Sequence, residues 1–365
     1  MSKEHMIYEW AMRSRGQMVK MPVKINIHED YLHYLDENTI YNGLKAVWEM
    51  FFCIYTDIAE NPEKFNLPLY GANQKQIGKE FNEVRVSDKK HLAFLCMVFS
   101  NGEINGDGFI VDVEKLKLRI KETKASTVHL FFEKFRDYGF VYDGLKNFKL
   151  PKTGTFSIEY PDNPSVLFIL KFLAEKGSKF NSSAFLRASY RVFEESMDDQ
   201  SLINGPAHIA DLTEDENIRE FVYKFHQAAV DYGCSPSYGI GGSESGPSPQ
   251  ETFIRYFKPK QLAYYFALKY NFGKLTVKLR IRNAKKCIEY VEQCPEDIKQ
   301  MFRAGKIPCV EYHGRGKCRG GVEYVFEGKE KLQCGCWDWG AAFTAPVNVE
   351  NIQHYIKLVD LGYKK

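Results

Sequence analysis

The segment from residue 274 to residue 282, KLTVKLRIR, alternates strictly between apolar and polar residues, and this alternation constrains the fold more than any other feature. Successive side chains of a β-strand point to opposite faces of a sheet. The segment therefore predicts a strand in a sheet with one buried face and one face that carries a row of cations. The buried face would hold Leu275, Val277, Leu279 and Ile281, and the other face Lys274, Thr276, Lys278, Arg280 and Arg282.

The sequence around this strand predicts a C-terminal region of mixed α and β structure. One hairpin is predicted at 262–282, turning near Gly273, and a second begins at residue 322 and turns at Gly328. A helix at 283–305 separates them, and a closing helix follows at 347–361. The order β-β-α-β-β-α predicts an antiparallel sheet with helices on one face.

The N-terminal part is expected to be mostly helical, so the fold class is α+β. Between residues 39 and 59, apolar side chains recur at steps of three and four, as on the buried face of a helix. Further helices are predicted around 89–101, 127–139, 165–177, 183–196 and 214–232. The buried face of the first helix would hold Ile40, Leu44, Val47, Phe51, Ile54 and Ile58.

One part of this helical region resembles a known class of domain. Residues 73–160 contain helices, then an aromatic helix with the sequence FFEKFRDYGF, then a hairpin predicted over FKLPKTGTFSIEY with its turn at Gly154. This order resembles that of winged-helix DNA-binding domains. The resemblance implies DNA binding, whereas the alternative is a small helical fold that contacts other proteins.

The chain of 365 residues is longer than one hydrophobic core usually serves. A stretch rich in Gly, Ser and Pro, SPSYGIGGSESGPSPQ, marks the predicted linker. No run of 18 apolar residues predicts a membrane span, and the first residues lack the apolar core of a secretory signal, so we expect a soluble cytoplasmic protein. The predicted domains are an N-terminal arm and helix at 1–72, a helical, winged-helix-like domain at 73–232, a linker or mobile loop at 233–250, and an α+β domain at 251–365.

The segment from residue 255 to residue 286 contains ten basic residues, several aromatic ones and no Asp or Glu. Rows of cations bind phosphate backbones, and aromatic side chains beside them can stack on bases. The alternatives are an anionic small ligand, or a solvated face that docks against the acidic stretch 194–220 of the same chain. The predicted nucleic-acid or anion-binding residues are Arg255, Lys258, Lys260, Lys274, Lys278, Arg280 and Arg282.

Six of the nine cysteines lie between residues 287 and 336. Thiolates and imidazoles in a tetrahedral set bind zinc, and the glycine-rich run HGRGKCRGG could bend to bring such ligands together. The cluster contains no C-x-x-C pair, so buried packing thiols and a redox pair are the alternatives. Zinc is the metal that this set would hold, and its predicted ligands are Cys309, His313, Cys318, Cys334 and Cys336.

No catalytic motif appears in the sequence. The glycine-rich run at 239–246 matches neither a phosphate-binding P-loop nor the dinucleotide fingerprint. The leading hypothesis is a nucleic-acid-associated or transcription-regulator-like protein whose C-terminal domain senses a ligand or a metal. The alternatives are an enzyme that acts on an anionic small-molecule substrate and a protein–protein interaction module.

Overall fold

The computed structural model describes residues 6–65, 90–123, 128–179, 182–197, 205–240, 252–261, 263–271, 273–305, 321–333 and 342–364. Its helices and antiparallel sheets confirm the α+β class. The chain divides into two compact units. Unit 1 comprises Met1–Ile203 with Gly242–Pro249, and unit 2 comprises Asn204–Gly241 with Gln250–Lys365. Within the ranges described, no helix is both long and apolar enough to cross a membrane.

Unit 1 begins with three helices, α1 (Met6–Arg15), α2 (Glu29–Leu32) and α3 (Glu37–Glu60). The side chain of Asp36 caps α3 by accepting a hydrogen bond from the backbone N–H of Thr39 at 3.0 Å. All six residues that the sequence assigned to the buried face of this helix are fully buried. The three- and four-residue spacing therefore predicted both the helix and its orientation.

The part of unit 1 that the sequence predicted to be winged-helix-like follows. It consists of α4 (Lys90–Ser100), β1 (Gly102–Asn105), β2 (Gly108–Asp112), α5 (Val113–Thr123), α6 (Val128–Arg136), β3 (Val141–Asp143) and β4 (Thr155–Glu159). The four strands form one antiparallel sheet with the order β1-β2-β4-β3. The last strand in the chain, β4, therefore pairs with β2 on one side and with β3 on the other. The chain order here is one helix, a hairpin of two strands, two helices and a final pair of strands.

The hairpin predicted over 148–160 requires a correction. Its second strand is β4, but its first strand is β3, which ends at Asp143, and residues 144–154 form a long connection that we call the wing. Proline has no N–H to give to a sheet ladder, so Pro151 keeps this part of the chain out of the sheet. Unit 1 continues with α7 (Ser165–Lys179) and α8 (Ser182–Leu186).

Unit 2 is built on a five-stranded antiparallel sheet with the order β11-β8-β7-β6-β5. A separate two-stranded sheet pairs β9 with β10, so the second predicted hairpin exists but does not join the first in one sheet. The elements in chain order are α9 (Pro206–Asp211), α10 (Glu216–Asp231), β5 (Ser235–Ile240), β6 (Thr252–Phe257), β7 (Phe266–Asn271), β8 (Lys274–Arg280), α11 (Ile288–Val291), α12 (Glu296–Arg303), β9 (Val322–Phe326), β10 (Lys329–Gln333), β11 (Ala342–Ala345) and α13 (Ile352–Tyr363).

The helices of unit 2 cover one face of its five-stranded sheet. The ring of Phe225 on α10 lies 5.7 Å from that of Phe266 on β7 and 6.5 Å from that of Tyr355 on α13. Leu275, Val277 and Leu279 of β8 point into the same core. The alternation of apolar and polar residues in β8 therefore has the predicted consequence, a sheet with helices on one face and polar side chains on the other.

Three boundaries differ from the sequence-based division. The predicted boundary between 72 and 73 falls inside unit 1, which holds Met1–Ile203. Helices α9 and α10 belong to unit 2 because the apolar face of α10 packs on the sheet of that unit. The predicted linker at 233–250 begins with a strand, since β5 pairs with β6 along its whole length. The rest of that predicted linker, 241–250, lies outside the described residues.

Candidate nucleic-acid interface

The outer face of the five-stranded sheet, opposite its helices, carries most of the predicted anion-binding residues. Strand register places Arg255 beside Ala267, Ala267 beside Lys278, and Lys278 beside Thr344 across four neighbouring strands. The Lys278 ammonium donates a hydrogen bond to the Thr344 hydroxyl at 2.9 Å. Ala267 thus separates the two cations of this row, Arg255 and Lys278, which reduces direct repulsion between their like charges.

None of the five strands contains an Asp or Glu residue. Two phenylalanines lie among the cations, and the guanidinium carbon of Arg255 lies 4.3 Å from the ring centroid of Phe253. We call this surface the cationic sheet face. By strand register, its charged members are Arg255, Lys269, Lys274, Lys278 and Arg280, and its aromatic members are Phe253 and Phe257.

Three predicted anion-binding residues lie elsewhere. The Lys258 ammonium donates a hydrogen bond to the carbonyl of Tyr232, the C-cap residue of α10, and lies 3.5 Å from the centroid of that tyrosine's ring. Lys260 lies in the turn after β6, with a φ of 63°. Arg282 follows the end of β8 and covers the ring of Tyr363 at 5.0 Å. Lys258 and Arg282 therefore have packing roles at the ends of helices.

Lys269 was not among the predicted residues, although it lies on the same face. It pairs with Thr276, whose side chain points to the polar side of β8. The segment Phe266–Asn271 begins with three consecutive apolar residues, so its sequence shows no alternation. In the structure Phe266, Ala267, Leu268 and Tyr270 are all buried. Pairing this segment with β8 across the Gly273 turn would have revealed its orientation.

The wing of unit 1 forms a second cationic surface, which the sequence reading also missed. Its eleven residues include Lys146, Lys149 and Lys152, all exposed, and no acidic residue. The tip turns between Lys146 and Lys149, whose N–H donates to the Lys146 carbonyl at 3.1 Å. Within the described ranges, none of the three lysines makes an ion pair. The wing therefore presents three positive charges to solvent.

Contacts from α5 fix the position of the wing. The Lys117 ammonium donates hydrogen bonds of 2.6 Å to the carbonyls of Pro151 and Lys152. The Glu114 carboxylate accepts a hydrogen bond from the N–H of Gly154 at 3.2 Å. These two side chains, one helical turn apart, hold the returning arm of the wing against the helix.

A further contact joins the tip of the wing to α6. Phe148 adopts a positive φ of 58°, which is unfavourable for a residue with a bulky side chain. Its ring lies 5.3 Å from the guanidinium carbon of Arg136, at the end of α6. The wing and the exposed side of α6 therefore belong to one fixed surface.

The exposed side of α6 carries charges of both signs. Glu133, Arg136 and Asp137 are exposed. The Lys134 side chain is mostly buried. Its ammonium lies 3.1 Å from a carboxylate oxygen of Asp137 and 4.7 Å from the ring centroid of Phe65. Most of the positive charge of this surface therefore comes from the wing, and α6 contributes only Arg136.

The predicted zinc ligands Cys309, His313, Cys318, Cys334 and Cys336 all lie outside the described residues, so the zinc site stays a prediction. In the described part of the chain, no group of three or more His, Cys, Asp or Glu side chains could hold a metal ion.

Two other cysteines of the C-terminal region, Cys287 and Cys294, are buried. The Cys294 sulfur lies 3.6 Å from Nδ1 of His354, and a cysteine and a histidine at this distance can act as a nucleophile and its base in an enzyme. Burial raises the pKa of this thiol, however, whereas a nucleophilic cysteine requires a lowered pKa. The pair therefore gives no support to a thiol-based enzyme.

Comparisons with protein-family models, with curated protein sequences and with solved structures found no match for the chain. The function is therefore inferred from the two cationic surfaces themselves.

Proposed function

We propose that the protein binds duplex DNA through the winged-helix-like part of unit 1, as a regulator of transcription does. The observation that carries the proposal is the wing, which presents three exposed lysines and is held against α5 and α6 by Lys117, Glu114 and Arg136. Lysines at fixed positions contact phosphates with a smaller loss of conformational entropy than lysines on a free loop.

Binding of this kind has a clear physical signature. Each phosphate that a lysine neutralises releases condensed counterions, so affinity falls steeply as the salt concentration rises. Contacts to phosphates position a protein on the duplex but do not read its sequence. We therefore expect the wing to supply affinity for any duplex. Sequence preference, if present, would come from the part of the surface that α6 provides.

The test is fluorescence anisotropy of a labelled duplex of mixed sequence, with the full chain and two charge-matched variants. The wing variant carries Lys146→Glu, Lys149→Glu and Lys152→Glu. The control carries Lys24→Glu, Lys45→Glu and Lys64→Glu, three exposed lysines of the same unit that lie outside the wing. We expect the wing variant to bind at least tenfold more weakly, and the control to lose much less. Equal losses in the two variants would contradict the proposal.

A second candidate function is the binding of an anionic ligand on the cationic sheet face of unit 2. The five cations that strand register places on one face of the sheet support it. The ligand could be a single-stranded nucleic acid or an anionic small molecule, and the second option includes an enzyme's substrate. Lys278→Glu with Arg280→Glu tests this face. If this variant loses binding of a labelled single-stranded oligonucleotide and the wing variant keeps it, the sheet face is the surface that binds single strands.

A further inference from the structure

A cleft of about 730 Å³ lies within unit 1, and no residue of the wing lines it. Its walls are the segment that joins α2 to α3, the β1–β2 hairpin and the first turns of α7. Sites for small molecules usually have volumes of roughly 300–1,000 Å³ and are lined mainly by apolar side chains. The cleft therefore has the size of a ligand site, and neither candidate function uses it.

Three aromatic rings form one wall of the cleft. The Phe168 and Phe172 rings of α7 lie 4.5 Å apart, and Tyr34 lies 5.7 Å from the first and 5.3 Å from the second. The two phenylalanines are buried, whereas Tyr34 remains 60% exposed at the mouth. A large aromatic side chain that packs against two others and still faces an open cleft offers a ring face to a ligand.

The charge of the cleft is negative. Its lining contains three carboxylates, Glu103, Asp107 and Glu175, and one ammonium, that of Lys171. Lys171 is engaged already, because its Nζ lies 3.0 Å from Oε1 of Glu175 and donates a hydrogen bond of 2.6 Å to the Gly102 carbonyl. Glu103 and Asp107, on the β1–β2 hairpin, are exposed and make no ion pair within the described ranges.

We propose that this cleft binds a lipophilic organic cation. Aromatic faces attract cations, and this attraction grows as the cation loses its water. The carboxylates of Glu103 and Asp107 line the same cleft as the aromatic wall. A positively charged ligand with aromatic or aliphatic groups would therefore pair with the carboxylates through its charge and pack on the rings through its apolar groups. An anion of the same shape would meet uncompensated negative charge, which gives the site a selectivity for the sign of the charge.

The probe is the tetraphenylphosphonium cation, with the tetraphenylborate anion as its counterpart of nearly identical shape and opposite charge. Isothermal titration of the full chain, in the absence of DNA, measures both. We expect the phosphonium to bind with one site per chain, and we expect Tyr34→Leu to weaken binding of the phosphonium and not of the borate. No binding of the phosphonium at millimolar concentration, or an equal loss of affinity for the two ions in Tyr34→Leu, would overturn the proposal.

Variants locate the site. Glu103→Gln with Asp107→Asn should weaken phosphonium binding about fivefold to tenfold, since each exposed charge pair contributes modestly. Tyr34→Leu should weaken it by a similar factor, and Tyr34→Phe should restore most of the affinity because the ring face remains. Glu49→Gln removes a carboxylate of α3 outside the cleft and serves as the control. Binding that is unchanged in the hairpin variant, or reduced equally in the control, would place the cation elsewhere and refute the cleft.

Discussion

At the scale of single residues, the lysines of this protein show why a count of charges does not locate a binding surface. The ammonium groups of Lys117, Lys171 and Lys258 each donate hydrogen bonds to backbone carbonyls of their own chain. The lysines of the wing have no such acceptors in the described part of the protein. An ammonium that is bonded internally stabilises the fold, and only an exposed one remains available to phosphate.

The sequence predicts which way a lysine side chain points, but it does not predict whether that lysine is bonded to a distant carbonyl. The alternation of residues in β8 correctly gave the side of the sheet on which Lys274, Lys278 and Arg280 lie. Nothing in the sequence near Lys258 shows that its side chain reaches the end of α10, because that contact joins residues 26 positions apart. Local patterns report the direction of a side chain within a strand and do not report long-range partners.

His226 gives a prediction of pH dependence. Burial lowers the pKa of this histidine below its ordinary value of 6.5, and its Nδ1 lies 3.2 Å from the Tyr256 hydroxyl. The folded state thus holds fewer protons on this group than the unfolded state. Its contribution to stability is present above about pH 6.5 and is lost as the pH falls below that value.

Urea unfolding of the wild type and of His226→Gln between pH 7.5 and pH 5 tests this expectation. The wild type should lose unfolding free energy as the pH falls, and the variant should lose less across the same range. Identical pH profiles for the two proteins would show that the imidazole does not contribute.

At the scale of elements, helix periodicity predicted α3 well, but the single helix predicted over 183–196 is wrong. The structure has α8 (Ser182–Leu186) and a separate 3₁₀ helix at Tyr190–Glu194, because Ala188 between them has a φ of 46° and cannot continue an α-helix. The three- and four-residue spacing of α3 gave six of its ten buried residues, because that helix packs along one continuous stripe; Gly43, Met50, Tyr55 and Ala59 widen the stripe.

The hairpin predicted over 148–160 was also wrong in its first strand. In the hairpin, FKL alternates like a strand, yet β4 already has β2 and β3 as neighbours on both sides. No sheet edge is left there for the segment that contains Pro151, so it becomes the wing.

The packing of α13 on the sheet gives a second prediction. A Cβ atom on Gly362 would lie 2.6 Å from Cγ2 of Ile281, a fully buried side chain with little room to move. Alanine favours a helix over glycine by about 1 kcal/mol. Overpacking of a core contact costs typically 1–3 kcal/mol, so the clash should exceed the gain in helix propensity.

We therefore expect Gly362→Ala to lower the free energy of unfolding by up to roughly 2 kcal/mol. Gln353→Ala, at an exposed position of the same helix, is the control and should be nearly neutral or slightly stabilising. Stabilisation by Gly362→Ala in denaturant unfolding would show that the helix can move away from Ile281 at little cost.

At the scale of the whole molecule, composition placed the start of the linker at residue 233, whereas the pairing of β5 with β6 extends the sheet to Ile240. Pro236 and Gly239 made the start of the predicted linker look like a loop. The strand β5 that contains them is at the edge of its sheet, where a proline is tolerated because one side of the strand needs no ladder bonds. The sheet therefore extends into a segment whose composition is typical of linkers.

Limited proteolysis distinguishes the paired segment from the rest of the predicted linker. We expect cuts within 241–250, whose sequence GGSESGPSPQ is typical of exposed cleavage sites, and none within Ser235–Ile240, which is hydrogen-bonded to β6. Mass spectrometry of the fragments locates the cuts. Early cleavage inside β5 would contradict the five-stranded sheet.

The nicked protein should also stay together under native conditions, because β5 remains in the sheet with β6 after the cut. Size-exclusion chromatography before and after denaturation tests this. Separation of the two fragments without denaturant would be inconsistent with the pairing described for unit 2.

The salt dependence of duplex binding tests the central claim, that the wing lysines contact DNA phosphates, most directly. The logarithm of the binding constant should fall linearly with the logarithm of the salt concentration, and each phosphate contact should contribute about 0.9 to the slope. The variant with Lys146→Ala, Lys149→Ala and Lys152→Ala should therefore show a slope smaller by up to roughly 2.7. A slope equal to that of the wild type would show that the wing does not touch the phosphates and would contradict the account.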